Sequence, residues 1–283
     1  MVELALGTVQ FGLAYGIAGR GQPVPPEEAA AILRRAAALG IRRLDTAAGY
    51  GDIEERLAAL IGDEDFDIVT KIPSLAGESD RSALRRRIAD SIALSQARLG
   101  PRLRGMLFHD SRDLLDPHAG DAWAQAVESA GGLPLGPSCY DVGDLTTTAA
   151  RWPIAMAQVP GNALDQAIGG ARGLDNVETT VRSAFLQGLL LMPRESAVDR
   201  IPAAAAALER WHGWLRESGL APLVGALSVV KGLANVDYCA VGVDSLAQLE
   251  EIAQAWDVAQ PLAIGSLDTR DREVIDPRRW RQS

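Results

Sequence analysis

Short apolar runs alternate along the chain with stretches in which apolar residues recur at helical spacing. Runs with strand character occupy residues 2–8, 41–45, 66–71, 104–109, 133–136, 153–158, 178–184 and 236–242. Helices are predicted over residues 26–39, 52–61, 80–99, 119–130, 142–151, 201–218 and 245–256. The glycine-rich stretch 159–177 predicts a loop with at most a short helix. The hydrophobic pattern therefore predicts a regular succession of strands and helices.

Start and stop signals support the predicted helices. In residues 26–39, the acidic pair Glu27 and Glu28 occupies the first turn, and Gly40 follows the end. Residues 80–99 place their apolar side chains near one face, and a glycine again follows. Acidic side chains stabilise the first turn of a helix, and glycine readily adopts the backbone conformation that ends one.

The alternation also predicts how the strands pair. Strands separated by helices favour a parallel sheet with right-handed crossovers. Eight such units in 283 residues fit a closed barrel better than an open sheet. A chain of this length could form two small domains, but such barrels often fill it as one. The predicted fold class is α/β, a (β/α)8 TIM barrel with a single domain over residues 1–283.

Composition excludes several classes of partner. The net charge is −9 and no extended basic stripe is present, which argues against binding nucleic acid. No stretch reaches the roughly 18 consecutive apolar residues of a membrane span, and the N-terminus lacks a signal-peptide pattern. Cys139 and Cys239 have no metal-like spacing and are predicted to be buried, reduced thiols. These features predict a cytoplasmic protein that binds neither nucleic acid nor membrane.

Polar residues stand where several predicted strands end. Asp45 ends the second strand, Lys71 the third and His109 the fourth, and Tyr50 lies in the loop after Asp45. In a parallel barrel the carboxyl ends of all strands meet at one face, where the chemistry takes place. We therefore expect these four side chains to form one site.

Together, these residue types suit proton transfer to an oxygen. A free phenol has a pKa near 10, and a nearby ammonium such as Lys71 lowers it. Asp45 could keep Lys71 charged and in place, while a neutral His109 could donate a hydrogen bond to the substrate. Such a set can protonate an oxygen that gains negative charge, most simply a carbonyl that receives a hydride. No side chain supplies a hydride, so a cofactor is required.

Each of these residues also has an ordinary explanation when taken alone. Asp45 could cap a helix, Tyr50 could be a half-buried packing residue, and Lys71 could be a solvated charge at a strand edge. His109 could be a core histidine bonded to backbone. A metal site built from His109 and Asp110 is conceivable, but the chain has three histidines and no second cluster, so no metal is predicted.

Eight short motifs follow one another along the chain. They are LALGTVQFGLAYGI, LDTAAGYGDIEERLA, IVTK, LFHD, LGPSCYD, AQVPGN, RSAFLQGLLL and VGVDSLAQLEEI. Each motif is weak alone, but in order and spacing they resemble the aldo-keto reductase family over nearly the full length, and a small bacterial member most of all. The resemblance implies a (β/α)8 barrel and an NAD(P)H-dependent oxidoreductase. Its reaction would reduce an aldehyde, ketone or sugar carbonyl to an alcohol.

The resemblance also implies a role for each strand-end residue. Asp45, Tyr50, Lys71 and His109 match the catalytic tetrad of the family. Tyr50 would be the general acid for reduction and the base for oxidation. Lys71 would lower the pKa of Tyr50, Asp45 would hold Lys71, and His109 would orient and polarise the carbonyl.

The implied cofactor is NADP(H) or NAD(H), extended across the barrel mouth without a glycine-rich fingerprint. Gly7 and Thr8 would lie near the nicotinamide, and Ser138 and Gln158 would bind its carboxamide. The other implied contacts are Arg182, Ser183, Phe185 and Gln187 towards the nicotinamide and pyrophosphate, and Val243, Asp244, Ser245 and Gln248 at the adenosine ribose.

The chain departs from the family pattern at three places. Cys139 replaces an Asn that follows the strand-five Ser in many relatives, which puts one amide contact in doubt. Arg182 replaces a Tyr that stacks on nicotinamide, and its planar guanidinium could stack as well. Asp244 and Gln248 occupy the places of basic residues that bind the 2′-phosphate. A carboxylate there would repel a phosphate, so we predict a weakened preference for NADPH, with dual use or use of NADH.

The substrate is expected to be chosen by the loops around the mouth. These are residues 110–120, 159–177 and the tail 266–283, in which Trp280 could wall the pocket or simply pack. An alternative function is a nicotinamide-binding regulatory or subunit protein with little turnover. The intact tetrad favours the enzyme, and no pattern predicts an oligomeric state.

Overall fold

The computed structural model describes residues 1–17 and 19–280 and contains one parallel sheet of eight strands. The strands are β1 (Glu3–Gly7), β2 (Arg43–Asp45), β3 (Asp67–Ile72), β4 (Leu103–Phe108), β5 (Leu135–Pro137), β6 (Met156–Pro160), β7 (Glu178–Arg182) and β8 (Tyr238–Gly242). They pair in the order β5-β4-β3-β2-β1-β8-β7-β6. All eight predicted strands are present, with ends that differ from the predicted ones by one to three residues at most positions.

The two ends of this strand order meet and curl the sheet into a barrel. The backbone amide of Cys139 donates to the carbonyl of Gln158 at 2.7 Å, which joins the loop after β5 to β6. Gly136 permits the close approach, because a Cβ there would overlap the carbonyl oxygen of Met156. Cys139 and Cys239 are both buried and free. The predicted (β/α)8 barrel is confirmed.

Helices cover the outside of the barrel. The α-helices of the described residues are α1 (Val9–Gly12), α2 (Pro26–Ala38), α3 (Ile53–Ile61), α4 (Arg81–Leu99), α5 (Ala119–Ala130), α6 (Val142–Arg151), α7 (Arg194–Arg200), α8 (Ala205–Ser218), α9 (Pro222–Lys231), α10 (Leu246–Val258) and α11 (Arg272–Ile275). Seven of them, α2 to α6, α8 and α10, correspond to the predicted helices. Within the described residues, no helix has both the length and the apolar composition needed to cross a bilayer.

The sequence pattern does not predict α9. Its residues PLVGALSVVK are almost all apolar, and six in succession are buried, from Gly225 to Val230. Burial on several faces removes the helical period, so such a run cannot be told from a strand by spacing alone. Pro222 at the start and Gly232 after the end are the signals that could have indicated the helix.

The barrel interior explains why the site residues face inward. Val69, Leu107 and Met156 form a small apolar cluster between β3, β4 and β6. Side chains two residues apart on a strand point to the same side. Lys71 therefore points into the barrel like Val69, and His109 points inward like Leu107. The polar residues thus lie directly above the apolar cluster, which forms the floor of the site.

Candidate active site

A buried ion pair joins the carboxyl ends of β2 and β3. The side chain of Lys71 is only 1% exposed, and its Nζ donates to Asp45 Oδ1 at 2.7 Å. The same Nζ donates to the carbonyl of Thr46 at 2.8 Å, and Asp45 Oδ1 also accepts from Gln158 Nε2 at 2.7 Å. A buried charge is tolerated only with partners of this kind. Asp45 therefore keeps Lys71 in place as an ammonium.

Tyr50 and His109 lie next to this ion pair. The Nζ of Lys71 is 5.2 Å from the centroid of the Tyr50 ring. The rings of Tyr50 and His109 meet edge to face, with centroids 5.8 Å apart. The structure thus brings together the four residues that the sequence places on three strands and one loop.

The loop that carries Tyr50 is fixed by the segment after β1. The backbone amide of Tyr50 donates to the carbonyl of Ala47 at 3.0 Å, which closes a tight turn. Arg56 Nη2 donates to the carbonyl of Phe11 at 3.0 Å and ties α3 to α1. Gly12 packs so closely that a Cβ there would overlap the carbonyl oxygen of Tyr50. Two distant motifs, GTVQFG and GYGD, therefore set the position of the phenol together.

Burial and charge act in opposite directions on Tyr50 and Lys71. Burial raises the pKa of the Tyr50 phenol, and the smaller opposing effect of the Lys71 charge does not cancel it. The phenol is therefore protonated at neutral pH, as a general acid must be. Burial opposes the charge of Lys71, but Asp45 and Tyr50 outweigh it, so the pKa of Lys71 is raised and the ammonium persists.

His109 is neutral at physiological pH. Burial, followed by the charge of Lys71, lowers the pKa of its imidazole to about 4. A neutral imidazole carries one N–H donor and one acceptor nitrogen. It can thus donate a hydrogen bond to a substrate oxygen beside Tyr50.

Replacing His109 with Gln is expected to reduce the acid sensitivity of the free energy of unfolding. An unfolded His has a pKa near 6.5, whereas His109 in the fold has a pKa of about 4. As the pH falls through the unfolded value, the unfolded chain binds the proton first, and the fold loses stability until the pH reaches the folded value. At about 1.4 kcal/mol per pKa unit, the loss is of the order of 3 kcal/mol.

Urea unfolding of both proteins across this pH window tests the expectation. The decisive quantity is the difference in the free energy of unfolding between the two proteins at each pH, because other groups also titrate in this window. Burial raises the pKa values of Asp113 and Asp165 to about 6. These carboxyls bind protons first in the folded state, so they stabilise the fold as the pH falls, and they do so in both proteins. Parallel curves for wild type and His109→Gln would contradict the assignment of a neutral His109.

A groove of about 430 Å³ opens beside the four residues. It extends from Asp45 and Tyr50, beyond β2, across the ends of β1 and β8 to the start of α10. The predicted cofactor residues that line it are Gly7, Arg182, Ser183, Phe185, Gln187, Asp244 and Gln248. Seven predicted contacts from three different parts of the chain thus share one wall.

The other predicted cofactor residues are not among the described residues that line the groove. Thr8 Oγ1 donates to the carbonyl of Asp45 at 3.2 Å, Val243 is fully buried in the core, and Ser245 Oγ caps α10 by accepting the backbone amide of Gln248 at 3.2 Å. Ser138 Oγ donates to Gln158 Oε1 at 3.3 Å, and Gln158 in turn donates to Asp45. These side chains support the wall and the ion pair. A carboxamide contact by Ser138 and Gln158 stays a prediction.

The groove also has lining residues that the sequence reasoning missed. They include Gln10, Tyr15, Ala221, Leu223, Gly242, Glu251 and Ile252. Gln10 is 8% exposed, and its Oε1 has no hydrogen-bond partner among the described residues. A Cβ at Gly242 would overlap the amide end of the Gln10 side chain, so Gln10 keeps this position only while residue 242 is glycine. Gln10 stands inside the GTVQFG motif, which was the available signal, whereas Leu223 was missed together with α9.

The wall after β7 has a strained backbone. Ser183, Leu186 and Gln187 have φ angles of 61°, 49° and 55°. Such left-handed angles are uncommon for residues other than glycine and cost of the order of 1 kcal/mol each. Strain of this kind is concentrated at ligand sites, and both Ser183 and Gln187 line the groove.

The groove has the size of a small-molecule or cofactor site. Its volume lies within the range of roughly 300–1,000 Å³ that is usual for small-molecule and cofactor sites. The unpaired, buried Oε1 of Gln10 is suited to accept a hydrogen bond from a ligand, because buried polar atoms rarely stay unsatisfied. In contrast, the described residues contain no group of three or more His, Cys, Asp or Glu side chains that could hold a metal ion.

The fold and the site define a (β/α)8 barrel with an acid–base cluster and a cofactor-sized groove at its mouth. The chain belongs to the Aldo/keto reductase family, whose family model matches residues 3–269. Members of this family are oxidoreductases that generally use NAD(P)H and act on small carbonyl compounds. No match was found among curated proteins.

Solved structures share the fold of this chain. PA4992 of Pseudomonas aeruginosa, assigned to the aldo-keto reductases, is 23% identical, and the match covers 90% of each chain with a TM-score of 0.64. The aldo-keto reductase AKR11C1 from Bacillus halodurans, solved in a holo form, is 20% identical. That match covers 98% of this chain and 95% of the other, with a TM-score of 0.68. At these identities the likeness establishes the fold.

Proposed function

We propose that the protein reduces an aldehyde, ketone or sugar carbonyl to an alcohol with NADPH or NADH, and that Tyr50 is the general acid. The observation that carries this proposal is the cluster at the groove mouth. There, Lys71 Nζ lies 2.7 Å from Asp45 Oδ1 and 5.2 Å from the Tyr50 ring centroid, beside His109. A site that only binds a cofactor needs no buried acid–base group at that place. Family membership supports the same class of reaction.

Each residue of the cluster has a distinct role in the proposed reaction. Tyr50 donates its hydroxyl proton to the carbonyl oxygen as negative charge develops there. Lys71 then stabilises the phenolate that remains, because its ammonium lies beside the ring. Asp45 holds Lys71, and neutral His109 donates a hydrogen bond that orients the carbonyl. General acid catalysis of this kind contributes roughly 10²–10⁴-fold to the rate.

The groove residues are proposed to hold the nicotinamide cofactor, which supplies the hydride when bound. Ser183 and Gln187 offer a hydroxyl and an amide to the pyrophosphate from the strained segment after β7. Gln10 offers an unpaired amide oxygen to a ribose hydroxyl or to the carboxamide. Asp244 and Gln248, at the start of α10, are placed to contact the adenosine ribose.

Fluorescence titration with NADPH and NADH, followed by a panel of aldehydes, ketones and sugars, tests the proposal. Binding should change the nicotinamide fluorescence, and at least one carbonyl compound should then be consumed together with the reduced cofactor. Binding of cofactor without turnover of any carbonyl would favour a regulatory protein. Failure to bind either cofactor would reject the proposal altogether.

We predict that NADPH has no large advantage over NADH. At the α10 end the groove is lined by Asp244, Gln248 and Glu251, and the one cationic side chain among the described lining residues is Arg182, near Tyr50. Arg20 reaches the carbonyl of Asp244 at 2.9 Å, but its charge is paired with Glu28 at 2.8 Å. The additional phosphate of NADPH would therefore meet a carboxylate without a free cation.

Assays at equal cofactor concentration check this prediction. Asp244→Asn keeps the backbone carbonyl that Arg20 contacts and removes the negative charge. It should raise kcat/KM for NADPH by about 10-fold, the equivalent of roughly 1.4 kcal/mol, and change the value for NADH little. A hundredfold advantage of NADPH in the wild-type protein would contradict the prediction.

A further inference from the structure

A second cavity of about 220 Å³ lies beside the groove, and the two cavities share Arg182 and Ser183. Its wall is built by the loop after β5, the end of β6 and the C-terminal tail around α11. The charged residues of this wall are Arg182, Arg270, Arg272, Asp141, Asp165 and Asp276. The wall is therefore polar, in contrast to the apolar floor under Lys71 and His109.

Most of these charges are already paired. The pairs are Asp141–Arg272, Asp276–Arg278 at 2.6 Å and Asp268–Arg270 at 3.2 Å. Asp268 and Arg278 approach from outside the cavity wall. After this pairing, Arg182 and Asp165 are the charged side chains of the wall that have no ion-pair partner among the described residues.

Arg182 is held in a defined position by uncharged groups. Its Nη2 donates to the carbonyl of Cys139 at 2.9 Å, and its Nη1 lies 3.4 Å from Ser183 Oγ. Its guanidinium lies over the ring of Tyr140, 4.2 Å from the centroid, and Arg278 lies over the same ring at 3.6 Å. A guanidinium has five N–H donors, so several donors of Arg182 are unmatched, and no carboxylate of the described residues lies within ion-pair distance of it. This is a cation that is oriented but not neutralised.

We propose that the carbonyl substrate bears an oxyanion, a carboxylate or a phosphate, which binds Arg182 where the two cavities meet. Arg182 and Tyr50 line the same groove, so one small molecule can place its carbonyl at Tyr50 and its anionic group at Arg182. The planar fork of a guanidinium matches both oxyanions by paired hydrogen bonds. This inference rests on the proposed function, because it names the substrate class of the same site.

Asp165 is the carboxylate that an anionic substrate would face in the second cavity. It is 7% exposed, and its nearest hydrogen bond is a long one of 3.4 Å from the backbone amide of Ala167. Burial raises its pKa to about 6, so it takes up a proton more readily than an exposed carboxyl. Asp165 therefore opposes an incoming anion at neutral pH, and it opposes the anion less as the pH falls through about 6.

Matched substrates that differ only in charge test the proposal. With 4-oxobutanoate and butanal, the wild-type protein should show a kcat/KM at least about 10-fold higher for the charged aldehyde. Glyceraldehyde 3-phosphate compared with glyceraldehyde shows whether the anion is a phosphate or a carboxylate. Arg182→Gln should lose about 10- to 100-fold with the preferred anion, mainly through KM, the range expected for a charge-assisted contact. The loss should be smaller with the neutral aldehyde, so the ratio of the two kcat/KM values should fall.

Two control variants separate this site from other effects. Arg270→Gln removes a cation of the second cavity that is already paired with Asp268, so it should lower kcat/KM for the anion by less than Arg182→Gln does. Arg86→Gln removes the same charge from an exposed position on α4 and should change nothing. Calorimetric binding of succinate and of inorganic phosphate to wild type and Arg182→Gln, in the presence of oxidised cofactor, tests the anion site without any turnover.

Three results would overturn the proposal. The first is equal kcat/KM for charged and neutral aldehydes in the wild-type protein. The second is a loss in Arg182→Gln that is the same for both aldehydes and accompanied by weaker cofactor binding, since Arg182 would then serve the cofactor. The third is calorimetry in which neither succinate nor inorganic phosphate binds, or in which each binds equally to both proteins. Absence of turnover with every carbonyl would instead reject the proposed function. The calorimetric comparison of wild type with Arg182→Gln would still decide whether the anion site exists.

Discussion

Replacing Tyr50 with Phe is expected to lower kcat by about 10²–10⁴-fold, the range for loss of a general acid. The substitution removes one hydroxyl from a ring that packs against His109 at 5.8 Å, so the packing should persist. Cofactor affinity should stay within a few-fold of wild type, because the groove keeps its shape. Steady-state assays with saturating cofactor, together with fluorescence titration of the cofactor, give both quantities.

Tyr238→Phe is a matched control for this experiment. Tyr238 begins β8 at the opposite end of the barrel, where its ring lies 4.2 Å from the guanidinium of Arg43. The same chemical change there should leave kcat unaltered. If Tyr50→Phe keeps the wild-type kcat, the assignment of Tyr50 as the acid is wrong.

Replacing Lys71 with Met should affect both catalysis and folding. Without the ammonium, the phenolate of Tyr50 loses the charge that stabilises it, so we expect kcat to fall by about 10²-fold or more. The carboxylate of Asp45, 7% exposed, would also stay buried without its cation, with Gln158 as a remaining donor. Removing one partner of a buried ion pair typically lowers the free energy of unfolding by about 3–5 kcal/mol. Urea unfolding measures this loss.

The double variant Asp45→Asn/Lys71→Met separates the two effects. It removes both charges, so much of the lost free energy of unfolding should return. Activity should not return, because the ammonium beside Tyr50 is still missing. Recovery of kcat in the double variant would show that Lys71 acts on stability alone and would reject its proposed role beside the phenol.

Local sequence patterns determined most of the secondary structure. Strand β3 is a short apolar run, and helix α2 buries one face at helical spacing. Spacing and end signals therefore identify elements of these two kinds. The order of these elements in turn predicts the parallel barrel, because few topologies accept strict alternation. Helix α9 is the instructive exception, since it is buried on several faces and so has no period to detect.

The sequence likewise indicated which residues gather at the barrel mouth. Asp45, Lys71 and His109 lie at or next to the carboxyl ends of three successive strands, and these ends meet at one face of a parallel barrel. The depth of the ion pair was not predictable, nor was the balance of effects on Tyr50, whose pKa is raised because burial exceeds the influence of Lys71. Such a balance depends on how many atoms surround a group, which is a property of the packed chain.

The sequence by itself determined the alternation of strands and helices, the barrel and the strand-end residues of the candidate site. Only the tertiary structure decided which side chains share a wall: it placed Gln10 and Leu223 in the groove, and it set Ser138, Gln158 and Val243 behind it. It also left Arg182, which lies between two cavities, without an ion-pair partner among the described residues. The physical reason is that periodicity and strand ends are encoded by neighbours along the chain, whereas exposure and charge pairing arise between segments that are far apart in sequence.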